Sequence, residues 1–255
     1  MLRASLLRER FDFCGSDYTT EYLFDSIGNR KQITTLQGNY VYDYDLNNQI
    51  ERANNPVGIS DYNSEKFLYD NIGDRTSDSL GYFSYEATGQ RLDEDANYSY
   101  FYDNNGNLTS KTEKELNGTT INYIYSSENQ LTGIKKYNAN NQLIKDTSYL
   151  YDAIGRRVKK ISTDYLNSSN SVGRHYAYDG NELLFTFDQN NELLASYTHS
   201  GLHTDDVLSV YITRAGKTEK MAKADGSYYF LKDALGSVID ITDPSGVKLQ
   251  HYTYS

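Results

Sequence analysis

The chain has no tryptophan, two prolines, two methionines and one cysteine among its 255 residues. A single thiol, Cys14, excludes an intrachain disulfide, so the fold has to rest on noncovalent contacts. No apolar run approaches the ~18 residues that cross a bilayer as a helix. Residues 2–10 carry only a short apolar patch broken by arginines, which reads as neither a signal peptide nor an anchor. Cations are scarce as well: 25 Lys and Arg against 35 Asp and Glu leave a formal charge of −10. Phosphate backbones and anionic lipid surfaces call for clustered cations, so no nucleic-acid partner and no membrane insertion are expected. The near-absence of cysteine is compatible with export.

Aliphatic residues are also thin. Hydrophobic residues make up 38%, but that figure includes 26 tyrosines, so little is left to build a dry core. In their place stand Tyr, which suits strands, and 18 Gly and 23 Asn, which suit turns. The balance fits neither a helical bundle nor an ordinary α/β enzyme.

A seven-residue segment recurs along the chain: aromatic, Asp, two variable residues, Gly or Asn, one variable residue, then Arg or an aliphatic. Its clearest copies begin at Phe24-Asp25 with Gly28, Tyr69-Asp70 with Gly73, Tyr102-Asp103 with Gly106, and Tyr151-Asp152 with Gly155. Weaker copies keep the register at Tyr44-Asp45 with Asn48, Tyr85-Glu86 with Gly89, Tyr125-Ser126 with Asn129 and Phe187-Asp188 with Asn191; a shortened one begins at Tyr178-Asp179. Gly and Asn enter left-handed backbone most cheaply, so the fifth position is the turn. Asp at the second can bond amides two residues on, and the flanking positions end one strand and start the next. Between corners the alternation in residues 97–102 and 38–44 puts Tyr on one face and mostly small or polar groups on the other, which is strand.

Asn117-Gly118 gives a strong two-residue hairpin signal at the far strand ends, and 139–141 reads as another such turn. Residues 111–116 hold helix formers, yet their flanks favour strand. The expected fold is all-β, an antiparallel meander of hairpins. Residues 1–17 read as a lead-in and 18–200 as the repeat ribbon. In 201–255 the repeat lapses and then resumes, with Lys232 and Thr242 in the aromatic position and Gly236 as a turn.

Sites for chemistry are sparse. His199 and His203 stand four apart near Asp205 and Asp206, but Gly201 between them favours solvated loop histidines over a metal pair. Asp43-x-Asp45-x-Asn47 opens like a calcium loop, yet Asn48 and Asn54 stand where Gly and Glu are needed. Asp93-Glu94-Asp95 reads as a solvated cluster. There is no phosphate-binding glycine loop, dinucleotide fingerprint or nucleophile elbow. No catalytic residue, cofactor or metal is expected, and the chain is read as not an enzyme.

Taken together, the tyrosine–aspartate corners resemble the YD repeats of the Rhs family, which includes insecticidal toxin-complex components, bacterial nuclease toxins and animal teneurins. The resemblance runs over residues 18–255 and sharpens at 228–238 and 242–247, which look like the entry to the Rhs-associated core. It implies a β-ribbon coiled into a shell around a C-terminal toxin, secreted or at the cell surface. The expected partners are the rest of such a shell and its cargo, with a homo-oligomer through strand edges possible. One alternative is an adhesion module recognising cell-surface carbohydrate or protein. A second is an aspartate-based autoprotease. The family's cutting segment lies near Asp-Pro-x-Gly-Leu; Asp243-Pro244-Ser245-Gly246 continues with Val247 and sits at a corner.

Overall fold

The computed structural model describes residues 6–13, 16–58, 64–87, 91–166, 170–201, 206–218, 222–233 and 236–252. Its contacts divide the chain into two compact units, residues 1–96 and 97–254. Among the described residues one helix occurs, α1 (Arg214–Thr218), and every other regular element is a strand.

The first unit holds β1 (Leu6–Phe13), β2 (Ser16–Phe24), β3 (Arg30–Thr35), β4 (Gly38–Tyr44), β5 (Ile50–Asn54) and β6 (Ser64–Lys66), paired antiparallel in that order. β7 (Leu68–Tyr69), β8 (Arg75–Asp78) and β9 (Gly81–Tyr82) form a second antiparallel set, and β10 (Ser84–Tyr85) pairs with β11 (Leu92–Glu94).

The second unit is a longer meander in which each strand pairs antiparallel with its chain neighbours. It runs through β12 (Tyr98–Tyr102), β13 (Leu108–Glu113), β14 (Thr120–Tyr125), β15 (Leu131–Tyr137), β16 (Leu143–Tyr151), β17 (Arg157–Asp164) and β18 (Asn170–Asp179). It continues through β19 (Glu182–Asp188), β20 (Leu193–His199), β21 (Val207–Ile212), β22 (Gly226–Lys232), β23 (Val238–Thr242) and β24 (Lys248–His251).

Because side chains alternate along a strand and directly paired residues share a face, the registers define two faces in the second unit. Tyr100, Lys111, Tyr149, Lys160, Arg174 and Tyr176 lie on one, as does Tyr197. The other face is less polar than its small residues imply: Phe101, Ile124 and Leu150 are 57%, 43% and 58% exposed on it. Among the described residues of this unit, the buried large apolar side chains fall in one place. Leu194 and Ala195 on β20 are fully buried, and Ala195 packs with Val210 and Ile212 of β21, flanked by Tyr197, Tyr228 and Phe230. α1 lies against this region, where a Cβ on Gly216 would collide with the Leu194 carbonyl.

Two sequence expectations change. The β13–β14 connection is not a two-residue Asn-Gly hairpin: neither residue has positive φ, and the turn closes from Gly118 N–H to the Glu115 carbonyl (2.9 Å). The Glu113 carboxylate accounts for the difference, because it accepts the Thr119 N–H at 2.6 Å and so seals a wider loop. His199 is not a solvated loop residue. It ends β20 with its side chain 3% exposed, 3.6 Å from Glu182. His203, Cys14 and Gly89 lie outside the described residues.

Candidate functional site

The repeated corner is the feature that the sequence builds most often, and one geometry recurs in it. At the first copy Asp25 N–H donates to the Asn29 carbonyl (2.8 Å) and Gly28 N–H to the Asp25 carbonyl (3.3 Å). The Asp25 carboxylate accepts the N–H groups of Ile27 (3.0 Å) and Asn29 (2.8 Å). Phe24 pairs with Arg30 across a register shift. This is a three-residue hairpin loop, a type I turn followed by a left-handed residue that makes a bulge.

The same backbone closure appears at Asp45, Asp70, Asp103, Ser126, Asn138, Asp152, Asp188, Asp233 and Asp243. Position five carries left-handed φ throughout: 96° at Gly73, 86° at Gly106, 88° at Gly155 and 82° at Gly236, and 58–65° at Asn48, Asn129, Asn141 and Asn191. Tyr69, Tyr102 and Tyr151 end their strands opposite Arg75, Leu108 and Arg157, each across a register shift. Asp243, in the Asp-Pro sequence, is one more corner, with Ser245 and Val247 N–H on its carboxylate at 2.9 and 3.0 Å.

The corner carboxylates are tuned by these bonds. Burial works against ionised Asp25, yet the Asn29 and Ile27 amides hold its carboxyl below the usual value of 3.8. The side-chain amide of Asn107 does most of this at Asp103, the Glu192 N–H at Asp188 and the Ser245 side chain at Asp243.

The aromatic at position one has a second role. Its hydroxyl donates to the position-seven carbonyl of an earlier corner: Tyr44 to Arg30 (2.9 Å), Tyr69 to Ile50 (2.9 Å), Tyr85 to Arg75 (2.8 Å), Tyr151 to Leu131 (2.7 Å) and Tyr178 to Arg157 (2.9 Å). Each accepting residue lies two positions short of the first ladder pair with the next strand: Gln32↔Val41, Arg52↔Lys66, Ser77↔Tyr82, Gly133↔Ser148 and Lys159↔His175. The hydroxyl therefore meets a carbonyl that the ladder does not reach, and staples one corner to an earlier one.

Arginine at position seven adds a third link. Arg75 stacks between Phe67 and Phe83 (5.7 and 4.5 Å) and Arg157 between Tyr149 and Tyr176 (5.4 and 5.3 Å), while Arg30 lies over Tyr22 (5.1 Å). Each is a cation–π contact to the aromatic two residues before a corner.

Sequence reading missed several corners or their form. Asn138 makes a full one, its side-chain oxygen accepting from Asn140 and Gln142 at 3.0 Å, where only a generic turn is legible. The Glu86 copy is one residue longer, closing on Arg91 with Tyr85 paired to Leu92. Asp179 needs only Gly180 and Asn181 before Glu182. The calcium-like segment is accounted for by ion pairs from Asp43 to Lys31 (3.3 Å) and Arg52 (3.9 Å) and by the Asp45 corner. Among the described residues no three His, Cys, Asp or Glu side chains come together as a metal site.

No family model matches the chain. It is 28% identical over 240 residues to the tRNA3(Ser)-specific nuclease WapA of Bacillus spizizenii and 27% identical to the tRNA nuclease WapA of Bacillus subtilis. Both matches cover 92% of this chain, which spans about 7% of the length of those relatives. Among solved structures, the TcdB2-TccC3-Cdc42 crystal structure aligns with 94% of this chain and 15% of its own, at 17% identity and a TM-score of 0.48.

These relatives overturn one expectation. The absence of a legible catalytic constellation leads to the expectation that the chain is not an enzyme, yet the proteins it is similar to are named as nucleases. Local motif reading fails here because the match covers so small a share of each relative that the residues behind their names need not fall within it.

Proposed function

We propose that this chain is a stretch of repeat-built wall in a larger toxin-type protein, a wall that encloses an effector polypeptide and keeps it from the producing cell. The observation that carries the reading is the corner itself, a unit that closes locally, staples to an earlier corner and pairs only with neighbouring strands. Such a unit extends to any length without a central core. The small share of its relatives that the chain spans is what a piece of such a wall would cover. From the relatives' names, the proposed class of effector is a nuclease acting on tRNA. The proposed partners are further wall strands, added at edges such as that of β24, which pairs only with β23 among the described residues, and the cargo itself. The proposed place of action is outside the producing cell or at its surface.

The test is protease protection in the whole gene product. The effector portion should survive digestion while the ribbon is intact and become digestible when Asp70→Ala and Asp152→Ala open two corners. Equal digestion in both proteins would overturn the proposal.

A further inference from the structure

Two Asn-Gly pairs stand at turns of the second unit, Asn105-Gly106 in a corner and Asn117-Gly118 between β13 and β14, and both asparagines are exposed. Asn before Gly is chemically labile, because a following residue without a side chain lets its backbone nitrogen approach the Asn amide carbon. The fold treats the two pairs differently. Asn105 N–H donates to the Asp103 carboxylate (2.9 Å), its Nδ2 to Asn129 Oδ1 (3.0 Å), and Gly106 N–H to the Asp103 carbonyl (3.0 Å). Asn107 fastens the other side, donating from its N–H to Asp103 and from its side chain to Asn129, both at 2.8 Å. At the second pair Gly118 N–H donates to the Glu115 carbonyl (2.9 Å), and the Asn117 side chain makes no hydrogen bond with another described residue.

We propose that Asn117 is a site of spontaneous deamidation and isoaspartate formation, and that the tether to Asn129 shields Asn105 from the same reaction. The Gly118 nitrogen gives its proton to hydroxide and attacks Asn117 Cγ. The N–Cγ bond forms, the Cγ–Nδ2 bond breaks, and the amide nitrogen takes a proton from water and leaves as ammonia, closing a succinimide ring. Water then opens either ring carbonyl, so residue 117 carries a carboxylate on a normal or an isoaspartyl backbone. The reaction runs through local opening, which this turn reaches more readily than the corner. At Asn105 the amide has to release Asn129 before it can swing over the next nitrogen. Packing makes the glycine obligatory at 118, and the lability comes with it: a Cβ there would meet the Glu113 carbonyl oxygen at 2.6 Å and the Glu113 Cβ at 2.7 Å. The product acts on the fold in turn. Its carboxylate joins Glu113 and Glu115, and the isoaspartyl form lengthens a main chain that the Thr119 N–H to Glu113 bond (2.6 Å) closes. The β13–β14 connection therefore loosens with age, whatever the larger protein does.

Peptide mapping of the full chain, incubated at mildly alkaline pH and sampled over days, tests it through the acid and isoaspartyl fractions at the two positions. In the folded chain Asn117 should convert tenfold or more faster than Asn105. In urea the two rates should become comparable, which assigns the difference to the fold. Asn129→Gly keeps a residue suited to the left-handed position and removes the tether, so Asn105 should convert severalfold faster in it while Asn117 keeps its rate. The comparison of wild type with and without urea stands even if that variant does not fold. No conversion at Asn117 in the folded chain, conversion of Asn105 at the same rate, a tenfold difference that persists in urea, or an Asn105 rate unmoved in folded Asn129→Gly would overturn the proposal.

Discussion

Two stretches of the second unit are held by different means. From β12 to β18 the repeat is intact, and large apolar side chains such as Phe101, Ile124 and Leu150 stand in the open. Corner hydrogen bonds, tyrosine staples and stacked arginines tie that stretch together. From β20 to β22 the repeat lapses, and a small dry cluster appears, with Leu194 and Ala195 fully buried and α1 packed against them. The contrast teaches that the YD corner substitutes for a core: where it is present little apolar burial is needed, and where it fails burial takes over.

Substitutions can break that contrast. The largest effect belongs to the lapsed stretch, where Leu194→Ala should cost about 3 kcal/mol by leaving a cavity, while Leu150→Ala in the intact stretch should stay within about 0.5 kcal/mol. Denaturant unfolding of both variants measures this; equal losses would mean that one core supports both. Next in size is the left-handed turn. Gly155 at φ 88° has room for a methyl group but not the backbone for it, so Gly155→Ala should cost about 1–2 kcal/mol. Gly155→Asn should cost less, because Asn48, Asn129, Asn141 and Asn191 hold that position in other corners.

A smaller effect is expected with pH. The carboxyls of Asp25, Asp103, Asp152, Asp188 and Asp243 titrate below 3.8 in the fold. A depressed folded value means that the stabilisation is complete above the unfolded value and is lost as pH falls through the folded one. The unfolding midpoint should therefore hold from neutrality to about pH 5 and decline below about pH 4. Replacing these five aspartates by asparagine should flatten the acid limb while keeping the corners, since Asn138 makes the same two bonds through an amide oxygen. Thermal melts across pH decide it, and an unchanged acid limb would count against the corner carboxylates as its source.

The strands and most corners are legible in the sequence because the corner is local: seven residues contain its donors, its acceptors and its left-handed turn. Asn138 is harder to see only because an amide replaces the carboxylate. The staples are not legible, since Tyr151 and Leu131 are brought together by strand pairing rather than by any short motif. His199 misleads for the same reason. It ends β20, and its burial depends on neighbouring strands that no local pattern names.

The central claim, that corners and staples stand in for a core, is tested most directly by replacing Tyr44, Tyr69, Tyr85, Tyr151 and Tyr178 together with phenylalanine. Every ring stays and only the hydroxyls go. At about 1 kcal/mol for each hydrogen bond, the unfolding midpoint should fall by roughly 10 °C. A midpoint that stays level or rises would contradict the account and assign the ribbon's stability to ring packing alone.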